Sequence, residues 1–275
     1  MAQGERGRPT FKRDGGLGGG GAGGGRAGSG IGGGRPGHRG EAFDKPALVP
    51  QVTTLWDYPS QHYGKGMQGD AKFKGATPSY IIWNLIERYT QPGDLVIDPC
   101  CGSGTTLDVA RDLGRKALGY DVHPTRTDIF RVDARKLPPE LTNKVDFVFI
   151  DPPYSTHIDY GPDPRDIGKL DAAGGKYYEA MGQVITEIAR VLKPGGYTGL
   201  YVSDSYEHDR QGGKFYALGF ELFGLLRQKL IPVDIVAVTR HNKTLNMGNY
   251  RKAADEGNFF LRGFNYMLIF RKATS

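Results

Sequence analysis

Residues 94–106, DLVIDPCCGSGTT, constrain the fold more than any other part of the chain. A short run of branched apolar residues ends in an acid, Asp98. It then passes through a Gly-x-Gly turn, Gly102-Ser103-Gly104, into a segment that opens with Thr105 and Thr106. That is the pattern of a buried strand, a tight turn and a helix, and open α/β sheets bind ligands where such a turn leaves the strand's carboxyl end. Two phosphate-binding versions of the pattern are excluded. A P-loop needs a lysine after its last glycine, and a dinucleotide fingerprint needs a third glycine where Leu107 stands.

The remainder of the chain repeats the alternation. The spacing predicts a helix over 79–89, with Thr77 as its cap and Pro78 at its first position, because Ile81, Ile82, Leu85 and Ile86 fall on one face. A strand over 94–98, a helix over 105–113 stopped by Gly114, and strands over 117–121, 127–131 and 145–150 follow. A long amphipathic helix over 177–192 ends at the turn 193–196, and strands over 197–202, 233–238 and 266–270 complete the set. Strands alternating with helices imply an α/β fold with a doubly wound, mostly parallel sheet covered on both faces. The last two strands, joined through polar sequence, are expected to form an antiparallel hairpin at one edge.

Composition matters chiefly at the amino-terminal end. Of 42 glycines, 18 fall in residues 1–40, together with seven Lys/Arg against Glu5 and Asp14. Ordering such a segment costs much conformational entropy and buries no apolar surface. Residues 1–40 are therefore expected to be a disordered Gly/Arg-rich tail, and 41–275 a single folded domain. Most of the net charge of +6 belongs to the tail. No run approaches the ~18 apolar residues of a membrane-spanning helix. The start of the chain has no apolar leader, and the neighbouring Cys100 and Cys101 cannot staple a small secreted fold. A cytoplasmic, reducing location without a membrane partner is expected. The scattered histidines give no metal-ligand spacing, so no metal is expected either.

Asp98, Asp121 and Asp133 close three successive strands. Asp121 is placed to take the hydroxyls of a ribose, as acids at that strand end do in other nucleoside-binding sheets. With the glycine turn, the three acids form a pocket suited to a nucleoside bearing a positive charge, and S-adenosyl-L-methionine is such a molecule. The fourth strand runs into Asp151-Pro152-Pro153-Tyr154. Successive prolines hold the backbone extended and donate no N–H, so the loop offers a carboxylate and a carbonyl as acceptors beside an aromatic plane. A planar base with an exocyclic amino group fits it: its two N–H groups meet Asp151 and the Pro152 carbonyl, and its ring stacks on Tyr154. Each strand-end acid taken alone is more often an ordinary cap or turn former. It is their order along the chain that points to chemistry. A nucleophilic thiolate would have to stand in the fourth-strand loop facing the base, so Cys100 and Cys101 are read as structural. His123 and His157 are read as turn residues or phosphate-side contacts.

With these runs in place, the chain resembles the amino-methyltransferases of the DNA N4-cytosine/N6-adenine methylase family. The matching residues are DPCCGSGTT over 98–106, Asp121, Asp133 and DPPY over 151–154. TLWDYP over 54–59, KFKGATP over 72–78 and the closing GFNYMLIFR over 263–271 also look like the family's, so the resemblance spans roughly 52–272. It implies a Rossmann-like class I methyltransferase fold and S-adenosyl-L-methionine as cofactor. Gly75, Thr77 and Pro78 would hold the methionine end, Asp121 the ribose and Asp133 with Ala134 the adenine edge. Asp98, Pro99, Cys100, Gly102, Ser103, Gly104, Thr105 and Thr106 would form the rest of the cofactor site. The catalytic group would be Asp151, Pro152, Pro153 and Tyr154.

Only residues 205–262 are available as a substrate-recognition segment. Tyr154 would meet the base. Arg240, Lys243, Tyr250, Arg251 and Lys252 are the main candidates for grip on nucleic acid, joined by Lys214, Arg227, Lys229, His241, Phe259 and Phe260. DNA is the first substrate on the resemblance. RNA is the alternative, since the recognition segment is short and an Arg/Gly tail suits RNA. A non-catalytic nucleic-acid-binding module that keeps the fold is a third reading, against which the intact DPPY run stands.

Overall fold

The computed structural model describes residues 48–58, 60–70, 72–73, 75–154, 163–209, 212–241 and 243–274. The tail expected over 1–40 lies outside them, as does His157.

The chain enters through a two-residue strand, β1 (Leu55–Trp56), and then α1 (Ser79–Tyr89). Next come β2 (Leu95–Asp98), α2 (Thr105–Asp112), β3 (Lys116–Asp121), β4 (Ile129–Arg131) and β5 (Val145–Ile150). The second half holds α3 (Lys176–Val191), β6 (Leu192–Val202), β7 (Ser205–Asp209), β8 (Gly212–Tyr216) and α4 (Leu218–Leu226). It ends with β9 (Ile231–Thr239), α5 (Gly248–Glu256) and β10 (Phe264–Arg271).

Eight strands form one sheet in the order β1-β9-β10-β6-β5-β2-β3-β4, with β7 and β8 as a separate hairpin. All pairs in the large sheet are parallel except those of β10, which runs antiparallel between β6 and β9. The expected terminal hairpin is therefore present but not outermost, because β1 adds parallel to β9 through Leu55–Ala237 and Trp56–Val238. Nor is its connection only polar loop, since it contains α5.

Successive strand residues point to opposite faces, and both faces are buried. Ile97, Val148, Ile150, Leu268 and Phe270 pack under α3 and α4; Val96, Phe147, Phe149, Met267 and Ile269 pack under α1 and α2. The expected stop at 193–196 is a bulge rather than a break. Strand pairing resumes past Gly195, at φ +81°, through a register shift between β5 and β6. Thr77 does not cap α1. Pro78 holds the cap position without a side-chain bond, and the Thr77 hydroxyl donates to Asp151 instead. The buried start of α1 does not need the hydroxyl, because the Ser79 N–H donates to the Gln61 carbonyl at 2.9 Å.

The chain leaves β2 towards β3 and β4 on one side and β5 towards β6 on the other. The carboxyl ends of β2 and β5 thus flank the crevice where such sheets take ligands. Among the described residues no helix is long and apolar enough to cross a membrane, and no cluster of His, Cys, Asp or Glu could hold a metal ion.

Candidate active site

A cleft of about 240 Å³ opens at this switch point. Its wall is shared by the glycine turn (Cys101, Gly102, Ser103), the Asp151–Tyr154 loop, the ends of β3 and β4 (Asp121, Asp133, Ala134) and the approach to α1 (Gly75, Thr77). Asp98, Pro99, Cys100, Thr105 and Thr106 line it as well. Two expected cofactor residues do not. Pro78 caps α1, and Gly104, at φ +80°, turns its Cα towards Arg126 at the start of α2.

The glycine turn is fixed from beneath. The Gly102 N–H donates to Asp121 Oδ2 at 2.9 Å, and the Thr125 hydroxyl donates to the Gly102 carbonyl at 2.6 Å. Gly102 sits at φ +45°, and a Cβ there would lie 2.7 Å from the Phe73 ring. Gly119 on β3 is needed for the same reason, since a Cβ would meet Cys101 Sγ at 2.6 Å. Arg126 ties the outer side together: its guanidinium donates to both Asp108 oxygens at 2.8 Å and to both Asp128 oxygens at 2.8 and 2.9 Å. That bidentate pairing holds Asp128 down at about 2. Asp108 in turn accepts the Gly69 N–H at 2.8 Å.

Asp98 is buried beneath the cleft, accepting from the Cys100 N–H at 3.0 Å and the Thr106 hydroxyl at 2.5 Å. Burial pushes its carboxyl up to about 7; those two bonds oppose the rise, and Asp151 and Asp121 add to it. Asp151 is pushed up to about 6 by burial, against hydroxyl bonds from Thr77 and from Tyr154 at 2.6 Å. Asp133 feels burial too, but Arg135 wins through a bidentate pair at 2.9 and 2.7 Å and lowers it. The acid expected at the adenine edge is thus already paired to a guanidinium. Burial and the neighbouring acids push both thiols, Cys100 and Cys101, well up, which disfavours the thiolate form.

The substrate-grip candidates are not in the cleft. Arg240 donates to Ser203 Oγ at 3.2 Å, at the end of β6. Tyr250, Arg251 and Lys252 lie on α5, a helix without a buried residue, where Lys252 faces Glu256 at 3.6 Å. The side chain of Lys243 lies outside the described residues. Phe73, Arg126, Arg165 and Asp166 were not foreseen. Only the dense polar run TRTD over 125–128 hinted at a brace.

The residues fit S-adenosylmethionine. Carboxyls that burial has made reluctant to ionise gain from a cation, and Asp98 and Asp151 are both of this kind. Two polar atoms on the wall, His123 Nε2 and Asp166 Oδ2, are buried and have no hydrogen-bond partner among the described residues. The strand order, with an antiparallel strand slipped between β6 and β9, and the glycine turn flanked by acids define a class I S-adenosylmethionine-dependent methyltransferase.

Within that class the chain belongs to the DNA methylase family, whose model matches residues 41–131 and 145–275. Curated relatives match over shorter stretches. The type II methyltransferase M.MjaII of Methanocaldococcus jannaschii is 30% identical over 81 residues, 30% of this chain and 15% of its own length. M2.DpnII of Streptococcus pneumoniae is 41% identical over 54 residues, 20% of each chain. The match thus spans a fifth or less of the length of these two relatives. Among solved structures, TrmN from Thermus thermophilus superimposes with a TM-score of 0.48 at 16% identity, covering 72% of this chain and 50% of that one. A methyltransferase of Methanosarcina mazei gives 0.46 at 16% identity, over 70% of this chain and 98% of that one.

Proposed function

We propose that the protein transfers a methyl group from S-adenosylmethionine to the exocyclic amino nitrogen of adenine or cytosine in DNA. The observation that carries this reading is the shared cleft: Asp151 and Pro152 at the end of β5 face the same cavity as Gly102 and Asp98 at the end of β2. Asp98, Gly102, Ser103, Asp121 and the Asp133–Ala134 corner would hold the cofactor, with Gly75 and Thr77 on its methionine side. When bound, the cofactor supplies an electrophilic methyl on a sulfonium.

The protein's own task is to present the nitrogen. An exocyclic amino group is a poor nucleophile because its lone pair is delocalised into the ring. Asp151 and the Pro152 carbonyl accept its two N–H groups, and those bonds strengthen as positive charge develops on nitrogen. This is stabilisation specific to the transition state. The Thr77 and Tyr154 hydroxyls hold the Asp151 carboxylate in place, and each of its oxygens keeps a second lone pair for the base. The Tyr154 ring lies beside it as the stacking plane. A base inside a duplex cannot reach such a loop, so the substrate is a flipped or unpaired base.

Incubation with methyl-labelled cofactor and DNA, then digestion to nucleosides, tests the reading. Label in N6-methyladenine or N4-methylcytosine is the expected result. Label found only when RNA replaces DNA, or cofactor binding without transfer to either, would overturn it.

A further inference from the structure

The carboxyl rim of the sheet continues beyond Asp151 into a second surface of a different kind. Val202, the last residue of β6, pairs with Tyr266 near the start of antiparallel β10. Asp204, two residues further on, accepts the Tyr266 hydroxyl at 3.1 Å and the Gly219 N–H of α4 at 3.0 Å. The Tyr266 ring is thereby pinned. Two phenylalanines stand edge-on against it: Phe264 at a centroid distance of 5.1 Å and 82°, Phe220 at 6.0 Å and 71°. Both open to solvent, Phe264 43% exposed and Phe220 67%. The Arg262 guanidinium lies beside this group, 5.1 Å over another exposed ring, Phe215. Along 205–264 the sequence carries nine Lys/Arg against six Asp/Glu, a net positive charge on the segment that bears these rings.

We propose that Phe220 and Phe264 form a stacking platform for the unpaired DNA bases next to the methylated one. The proposal rests on the DNA-methylating reading above and names where that substrate lies. A base drawn into the cleft at β5 leaves its neighbours unstacked at β6 and β10, the adjoining strands of the same rim. Aromatic faces take any base, because every base offers a π-surface, and cations beside them take the phosphates. Rings held by Tyr266 and Asp204 are ordered before the strand arrives, which lowers the entropy cost of binding.

The test uses the full chain, saturated with S-adenosylhomocysteine, and two fluorescein-labelled single-stranded deoxyoligonucleotides, one with a single adenine and one with a single cytosine as the target base, read by anisotropy. Phe220→Ala and Phe264→Ala should each weaken binding about tenfold, the scale of one lost base stack, with Phe220→Tyr close to the parent. Replacing both flanking nucleotides by abasic residues should cost the parent about both factors, each single alanine variant about one, and the Phe220→Ala/Phe264→Ala double variant almost nothing. Calorimetry with S-adenosylhomocysteine alone should show unchanged cofactor affinity. If both alanine variants bind the strand within twofold of the parent, or the abasic penalty persists in the double variant, the platform is overturned. A change in oligomeric state by light scattering in the alanine variants would assign the rings to contact between copies and overturn it equally. Failure of the DNA-methylating reading looks different, because the parent itself would transfer no label to DNA.

Discussion

On the β2-β3-β4 side of the switch point, the strand-end carboxylates are engaged by the chain itself. On the β6-β10-β9 side the strand ends carry aromatic rings that stand in water. Asp98, Asp121 and Asp133 each accept at least two bonds from neighbouring amides, hydroxyls or guanidinium, and Gly102 and Gly119 leave no room for a methyl group. Phe220 and Phe264 are exposed, and α5 buries nothing. A small ligand of fixed shape is met by a closed, pre-bonded wall; a long and variable one is met by open faces. The first kind of surface is expensive to alter and the second cheap.

The largest expected effect lies where the two halves meet. Asp151→Ala should lower kcat on the order of 10²–10³-fold, the scale seen when one preorganised stabilising group is removed, while cofactor affinity measured by calorimetry stays near the parent value. On the closed side, Gly119→Ala should cost about 1–3 kcal/mol in denaturant unfolding through overpacking. Cys101→Ala in the same chain should recover part of that loss, because Cys101 Sγ is the atom the new methyl would strike. Phe220→Ala, by contrast, should leave the midpoint nearly unmoved. A large loss of stability there would break the contrast between the halves.

Asp98 gives the next effect. Its folded value near 7 stands above the ordinary carboxylate value of about 4. The protonated form therefore favours the folded chain: this contribution is full below about pH 4 and is lost as pH rises through about 7. Without cofactor, thermal stability should fall across that window, and Asp98→Asn should flatten the slope. A cationic ligand prefers the ionised carboxyl, so cofactor affinity should rise over the same range, with proton release visible when titrations are repeated in buffers of different ionisation enthalpy. The smallest effect belongs to α5. Lys252→Ala removes a side chain facing Glu256, and should shift strand affinity less than twofold and the salt slope by at most about one.

What was legible in the sequence follows the same division. An acid closing a strand, glycines at a turn and consecutive prolines act through their own backbone, so residues 94–106 and 151–154 disclosed their place directly. Thr77 was misassigned as a cap because its partner, Asp151, is 74 residues away. Arg126 was missed for a similar reason: one of the two acids it braces, Asp108, stands 18 residues away on α2. The elements not anticipated were β1, β7, β8, α4 and α5. β1 has two residues, α4 is apolar on nearly every side, and α5 carries no buried stripe, so none shows the periodicity by which elements declare themselves. The stacking pair escaped notice because Phe220 and Phe264 are brought together only by the packing of α4 on β10 around Tyr266.

The reversed direction of β10 has a practical consequence. It begins with Phe264 at the reactive rim and finishes with Arg271 opposite Tyr197, where Lys272 bonds to Gly196 on the far side of the sheet. An affinity handle or fluorophore fused beyond residue 274 would therefore emerge behind the molecule, so immobilised or labelled protein should still admit both cofactor and strand.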